Sequence, residues 1–152
     1  MLELKMDKEV CTFTTMNDSE YWTKNGYKAK PWIHIADPTK DINMMVGRDT
    51  LVTSKETIKI HFTYPFTGYY TFEFTNKGGW TKGQLATVIT NQYIKMYNEE
   101  DKNVGKTGNI KGMLNRATSN GPYGIWGHHI DDLDLSGLYI EEDGSFVPSV
   151  ES

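Results

Sequence analysis

Along Ile58-Lys59-Ile60-His61-Phe62-Thr63-Tyr64 apolar and polar residues alternate. Successive strand side chains point to opposite faces, so Ile58, Ile60, Phe62 and Tyr64 share one side. Pro65-Phe66-Thr67-Gly68 reads as a turn, after which alternation resumes through Tyr69–Thr75 and groups Tyr70, Phe72 and Phe74. Two such runs about a short loop predict an antiparallel hairpin with one buried face. The period then changes. Gly78-Gly79 lets the chain turn sharply, and Thr81-Lys82-Gly83-Gln84 has the form of a capping box, which opens a helix. Leu85, Val88, Ile89, Tyr93, Met96 and Tyr97 form its apolar stripe, with Ile94 on the opposite side. Glu99-Glu100-Asp101 puts negative charge where the helix dipole disfavours it, so fraying is expected there, before Gly105.

The flanking regions are less regular. Val10–Thr15 has strand composition, Tyr21–Tyr27 carries an Asn25-Gly26 turn signal, and Pro31–Ile35 reads as a short strand stopped by Asp37-Pro38. Asn43–Gly47 fits strand or loop equally. Lys102–Gly127 is rich in Gly and Asn and lacks periodicity, which predicts a long ordered loop. Leu133–Ile140 regains strand character. Asp143-Gly144 is a hairpin turn signal, with Ser145-Phe146-Val147 as the return strand. The predicted fold class is α+β: an antiparallel β-sheet packed against one main α-helix, with a long ordered Gly-rich loop and a C-terminal β-hairpin. Residues 1–152 are expected to form a single domain, with residues 1–9 as a disordered N-terminal extension.

Composition narrows the function classes. Sixteen basic residues against 20 acidic ones give a net charge of −4, and the lysines are scattered, so a duplex-binding surface has no compositional support. One cysteine, Cys11, allows neither an intrachain disulfide nor a cysteine-based zinc cluster. The charged start of the chain does not read as a secretory signal, and no apolar run is long enough to span a membrane. The expected setting is therefore intracellular, with the Asn17-Asp18-Ser19 sequon unused.

Three groups of residues carry candidate chemistry. His128-His129-Ile130-Asp131-Asp132-Leu133-Asp134 offers imidazoles and carboxylates, so His128, His129, Asp132 and Asp134 are candidate metal ligands should they converge. Adjacent histidines on an extended chain point apart, and the plainer reading is a polar loop with Asp131 or Asp132 bonded to nearby amides. In the loop, Asn115, Arg116, Tyr123, Trp126, His128 and Asp132 are the candidate binding residues. Arg116 could grip a carboxylate or phosphate, and Tyr123 and Trp126 could offer flat apolar surface. The plainer reading puts Ile125 and Trp126 in the core, with Gly121, Gly124 and Gly127 supplying turns. Lys106 and Lys111 would join Arg116 in a nucleic-acid site. Gly105-Lys106-Thr107 is no phosphate loop, because Glu100 stands where the first glycine belongs. His61 is expected to face solvent or to bond a neighbour. Cys11 has no basic partner in sequence, and no Gly-x-Ser-x-Gly elbow is present.

Gly78-Gly79-Trp80-Thr81-Lys82 with Ile94–Glu100, and Gly112–Arg116 with Gly121-Pro122-Tyr123-Gly124-Ile125-Trp126-Gly127-His128 and Asp132-Leu133, resemble a family of small proteins without assigned activity from large DNA viruses of amoebae and algae and some protists and algae. The resemblance spans Tyr70 to Tyr139. It implies a viral accessory or virion-packaged protein, in the cytoplasm or nucleus of a host cell or in the virion, and it carries over no catalytic residue. The leading expectation is a non-catalytic binding protein without cofactor, acting through protein–protein contacts or self-association. The alternatives are a metal-dependent hydrolase at His128–Asp134 and a nucleic-acid-binding module.

Overall fold

The computed structural model describes residues 8–152. In chain order these form β1 (Lys8–Thr12), α1 (Ser19–Lys24), β2 (Ile33–His34), α2 (Thr39–Asn43), β3 (Leu51–Thr53), β4 (Thr57–Phe62), β5 (Tyr70–Thr75), β6 (Trp80–Thr81), α3 (Lys82–Val104), a 3-10 turn (Ile130–Asp132), β7 (Asp134–Ile140) and β8 (Phe146–Glu151). The expected disordered extension falls mostly outside the described residues, although Lys8 and Glu9 already pair in β1.

The main sheet runs β1-β7-β8-β4-β5, with β2 continuing beside β7. Its pairings are antiparallel except for one parallel contact between β4 and β8, at Ile60 and Phe146. The predicted β4–β5 hairpin is present in register, from Thr57 opposite Thr75 to Phe62 opposite Tyr70. Ile58, Ile60 and Phe62 are buried, as the alternation requires. The C-terminal hairpin is likewise present. Its turn closes with the Gly144 amide donating to the Glu141 carbonyl, and it lies between β1 and β4, in the middle of the sheet.

Helix α3 starts where the capping box places it. Thr81 Oγ1 accepts from the Gln84 amide at 3.2 Å and Gln84 Oε1 accepts from the Thr81 amide at 2.8 Å, so two otherwise orphaned donors are satisfied. Its buried stripe includes Leu85, Ile89, Tyr93, Met96 and Tyr97. The Tyr93 ring packs against Phe62 and Phe66, with centroids 5.4 and 5.5 Å apart, and its hydroxyl donates to the Tyr64 carbonyl. These contacts seat the helix on the sheet.

Four local expectations need correction. The helix does not fray at Glu99–Asp101 but runs on to Val104. The stretch Tyr21–Tyr27 begins with a short helix, and the Asn25-Gly26 turn follows it. The Pro31–Ile35 strand shrinks to two residues beside β7. The Asn43–Gly47 ambiguity resolves as the end of α2 and a loop whose Met45 bridges Thr15. Buried Asp41 ties this first third together, accepting from Lys30 Nζ at 2.9 Å, Asn17 Nδ2 at 2.7 Å and the His34 amide at 2.8 Å. Among the described residues no helix is long and apolar enough to cross a membrane.

Candidate functional site

The site grows from the last turns of α3. Glu100 lies one heptad after Tyr93, so helical geometry carries the stripe of Tyr93, Met96 and Tyr97 straight onto it. Its side chain is buried beneath the glycine-rich loop. A carboxylate out of water requires donors, and the loop provides them. Oε2 accepts from Ser119 Oγ at 2.6 Å and from the Gly121 amide at 2.9 Å. Oε1 accepts from the Tyr123 amide at 2.8 Å. The Gly124 and Ile125 amides lie farther off, at 3.3 and 3.4 Å. Burial alone would raise the Glu100 carboxyl. The combined bonds from Ser119 and the Tyr123, Gly121 and Gly124 amides outweigh it and hold the group below the ordinary carboxylate range. Gly121 is required by close approach, since a Cβ there would sit 2.6 Å from Glu100 Oε1.

The neighbouring acids complete the clamp. Glu99 accepts from the Tyr123 hydroxyl. Burial, and then that bond, push the Tyr123 phenol up to about 12. Arg116 donates through Nη2 to Asp101 Oδ1 at 3.0 Å and to Ser119 Oγ at 3.2 Å, and its guanidinium lies 5.4 Å from the Tyr97 ring centroid. The carboxylates expected to unwind the helix therefore anchor the loop. Other bonds tie the loop to the β4–β5 turn and to α3: the Thr67 amide donates to the Gly124 carbonyl, the Trp126 amide to the Pro65 carbonyl, and the Tyr97 hydroxyl to the His128 carbonyl.

This geometry redistributes the candidate binding residues. Arg116 is 3% exposed and Tyr123 is 9% exposed, so neither is free to grip a partner. Asn115 is half-buried and donates to the Gly127 carbonyl. Without Arg116, the nucleic-acid reading keeps only exposed Lys106 and Lys111. Trp126 goes the other way. A candidate binding residue that the plainer reading put in the core, it is 41% exposed, its ring set edge-on to Tyr64 at 5.4 Å and beside His128 at 5.5 Å. Ile125 is buried as expected.

His128, His129, Asp132 and Asp134 do not gather. His128 Nε2 shares a 2.7 Å hydrogen bond with the Tyr64 hydroxyl, and His129 pairs with Asn109. Asp134 faces His34 Nδ1 at 3.4 Å. Burial raises the Asp134 carboxyl, and His34 partly offsets this. Asp132 is exposed. Among the described residues, the grouping with three potential metal ligands lies elsewhere, at His61, Glu141 and Asp143.

What the loop does present is apolar. Ile110, Met113, Leu114 and Trp126 are exposed at 40, 53, 87 and 41%. A turn in which the Met113 amide donates to the Ile110 carbonyl forms the tip, and bridges from Arg116 to Asn109 and Gly127 bring it back beside Trp126. The arrangement pins the loop, because every close donor around Glu100 belongs to the loop itself. The role of Glu100 is signalled in the sequence only by its heptad spacing from Tyr93, and the apolar tip has no local signal, because Ile110, Met113 and Leu114 lie in a stretch without periodicity. The chain matches no known protein family, and no curated protein or solved structure is similar enough to it to count as a match.

Proposed function

We propose that this chain is a non-catalytic interaction module that contacts a protein, in the simplest case a second copy of itself, through Ile110, Met113, Leu114 and Trp126. The observation that carries the reading is the exposure of these four side chains on a loop anchored by buried Glu100 and Arg116. Exposed large apolar side chains gathered on one loop are a mark of interaction sites, and an anchored loop loses little further freedom on binding. The resemblance of the Gly121–His128 stretch to small proteins of large DNA viruses supports a partner met inside an infected cell or in a virion.

The test uses Leu114→Asp and Trp126→Ala. Leu114 is 87% exposed, so Leu114→Asp should keep the melting temperature while association falls; Trp126→Ala also loses the Tyr64 and His128 contacts, so its melting temperature should drop by a few degrees at most. Light scattering across a dilution series should show a concentration-dependent dimer in the parent chain that both variants lose. A parent chain that is monomeric at every concentration and retains no partner that the variants lose would overturn the reading.

A further inference from the structure

The turn of the C-terminal hairpin meets strand β4 at a second cluster, independent of the loop. One nitrogen of His61 and one carboxylate oxygen each from Glu141 and Asp143 lie within 4.8 Å of one another. His61 lies on the polar side of its strand, opposite Thr71, yet it is only 8% exposed. Tyr69 covers it, with ring centroids 4.8 Å apart.

The orientation of the group is specific. His61 Nδ1 is bonded to Thr71 Oγ1 at 2.6 Å, which turns Nε2 towards Glu141 Oε2 at 3.5 Å. That separation is too long for a good hydrogen bond. With the Nδ1 proton donated to Thr71, Nε2 keeps its lone pair and can ligate an ion shared with the two carboxylates; with Thr71 donating instead, Nε2–H faces Glu141 and no ion is needed. The other oxygen of Glu141 is occupied, since the Tyr69 hydroxyl donates to Oε1 at 3.0 Å. Oε2 is thus held towards the imidazole. On Asp143, Oδ1 accepts from the Ser145 amide at 2.9 Å. Bonds of this kind behind the ligating atoms fix the tautomer and orientation of metal ligands.

We infer that His61, Glu141 and Asp143 bind a divalent transition-metal ion such as zinc or manganese, joining β4 to the β7–β8 turn. Ligand atoms about 2.0–2.2 Å from a tetrahedral ion stand roughly 3.3–3.6 Å apart. His61 Nε2 and Glu141 Oε2 already have that spacing, at 3.5 Å, and the three ligand atoms lie within 4.8 Å of one another, so the exposed Asp143 side chain has to close by roughly an ångström at most. One imidazole with two carboxylates suits zinc or manganese better than calcium.

Isothermal titration of the chelator-treated full chain with zinc chloride, and separately with manganese chloride, tests this. The expected result is one ion per chain and a raised melting temperature. Asp143→Asn keeps the oxygen that caps the turn and should weaken binding about tenfold or more, His61→Gln should abolish it, and Tyr69→Phe should weaken it by roughly tenfold through Glu141. A His128→Ala/His129→Ala double variant should bind as the parent does. Should His61→Gln fail to fold, the Asp143→Asn comparison decides alone. No binding of either ion, binding unaffected by Asp143→Asn, or binding lost with His128 and His129 overturns the inference.

Discussion

Replacing Glu100 with Gln isolates the anchor of the loop, because shape is kept while the charge and one acceptor are removed. The carboxylate holds three close bonds, from Ser119 Oγ, the Gly121 amide and the Tyr123 amide. A carboxamide can accept on one side only, and its NH2 must face donors on the other. Oriented with oxygen towards Ser119 and Gly121, it orphans the Tyr123 amide. Reversed, it orphans the Gly121 amide, while Ser119 can rotate its hydroxyl to accept. Either way one buried amide loses its partner, at about 1–3 kcal/mol, and the surviving bonds lose their charge assistance. The sum is about 2–4 kcal/mol, which should appear as local opening of residues 119–125. At about 1.4 kcal/mol per tenfold, the amides of Gly121 and Tyr123 should exchange with deuterium roughly 30- to 700-fold faster. Amides at the centre of the β4–β5 pairing should change less. If Gly121 and Tyr123 exchange within threefold of the parent rate, the claim that Glu100 holds the loop is refuted.

The same site responds to pH with a defined sign. The folded Glu100 carboxyl lies below its unfolded value of about 4.3, so its stabilisation is complete above that value and is lost as pH falls through the folded value; the gap in melting temperature between parent and Glu100→Gln should therefore close in acid. Gly121→Ala places a methyl group against Glu100 without demanding an unusual backbone angle, and should destabilise by about 1–3 kcal/mol in the parent but far less in a Glu100→Ala background, a non-additivity that a denaturation cycle reads directly. Arg116→Ala should cost about 1–3 kcal/mol by urea denaturation, because Arg116 is buried while its partner Asp101 is partly exposed. Thr81→Ala removes the capping oxygen of α3 and should cost about 1 kcal/mol in the same assay.

The parts of the fold that were legible are those where one period rules. Ile58, Ile60 and Phe62 alternate because a strand is buried on one face, and the hairpin follows from them. Thr81 and Gln84 announce the helix start because a cap is a local bond between residues three apart. The first third resisted because its order is long-range: Asp41 gathers Lys30, Asn17 and His34, and nothing in the spacing of those residues forecasts that they meet. His61 obeyed its alternation in direction and escaped it in environment, because Tyr69 covers a face that the sheet alone would leave open.

The loop shows why local rules mislead at this site. Glu99-Glu100-Asp101 opposes the helix dipole by about 0.3–1 kcal/mol. Charge-assisted bonds to Glu100 contribute about 1.5–3 kcal/mol each, and the structure has three close ones. The tertiary term is several times larger, so the helix continues. Arg116 follows from the same balance. A cation on a glycine-rich loop looks available for a partner, yet beside Asp101 and over Tyr97 it serves the chain's own acidic helix end. With Arg116 and the acids of the helix end committed to holding the loop down, Leu114 and Trp126 are left as its exposed apolar side chains. That is why the proposed recognition is assigned to Leu114 and Trp126 rather than to the arginine.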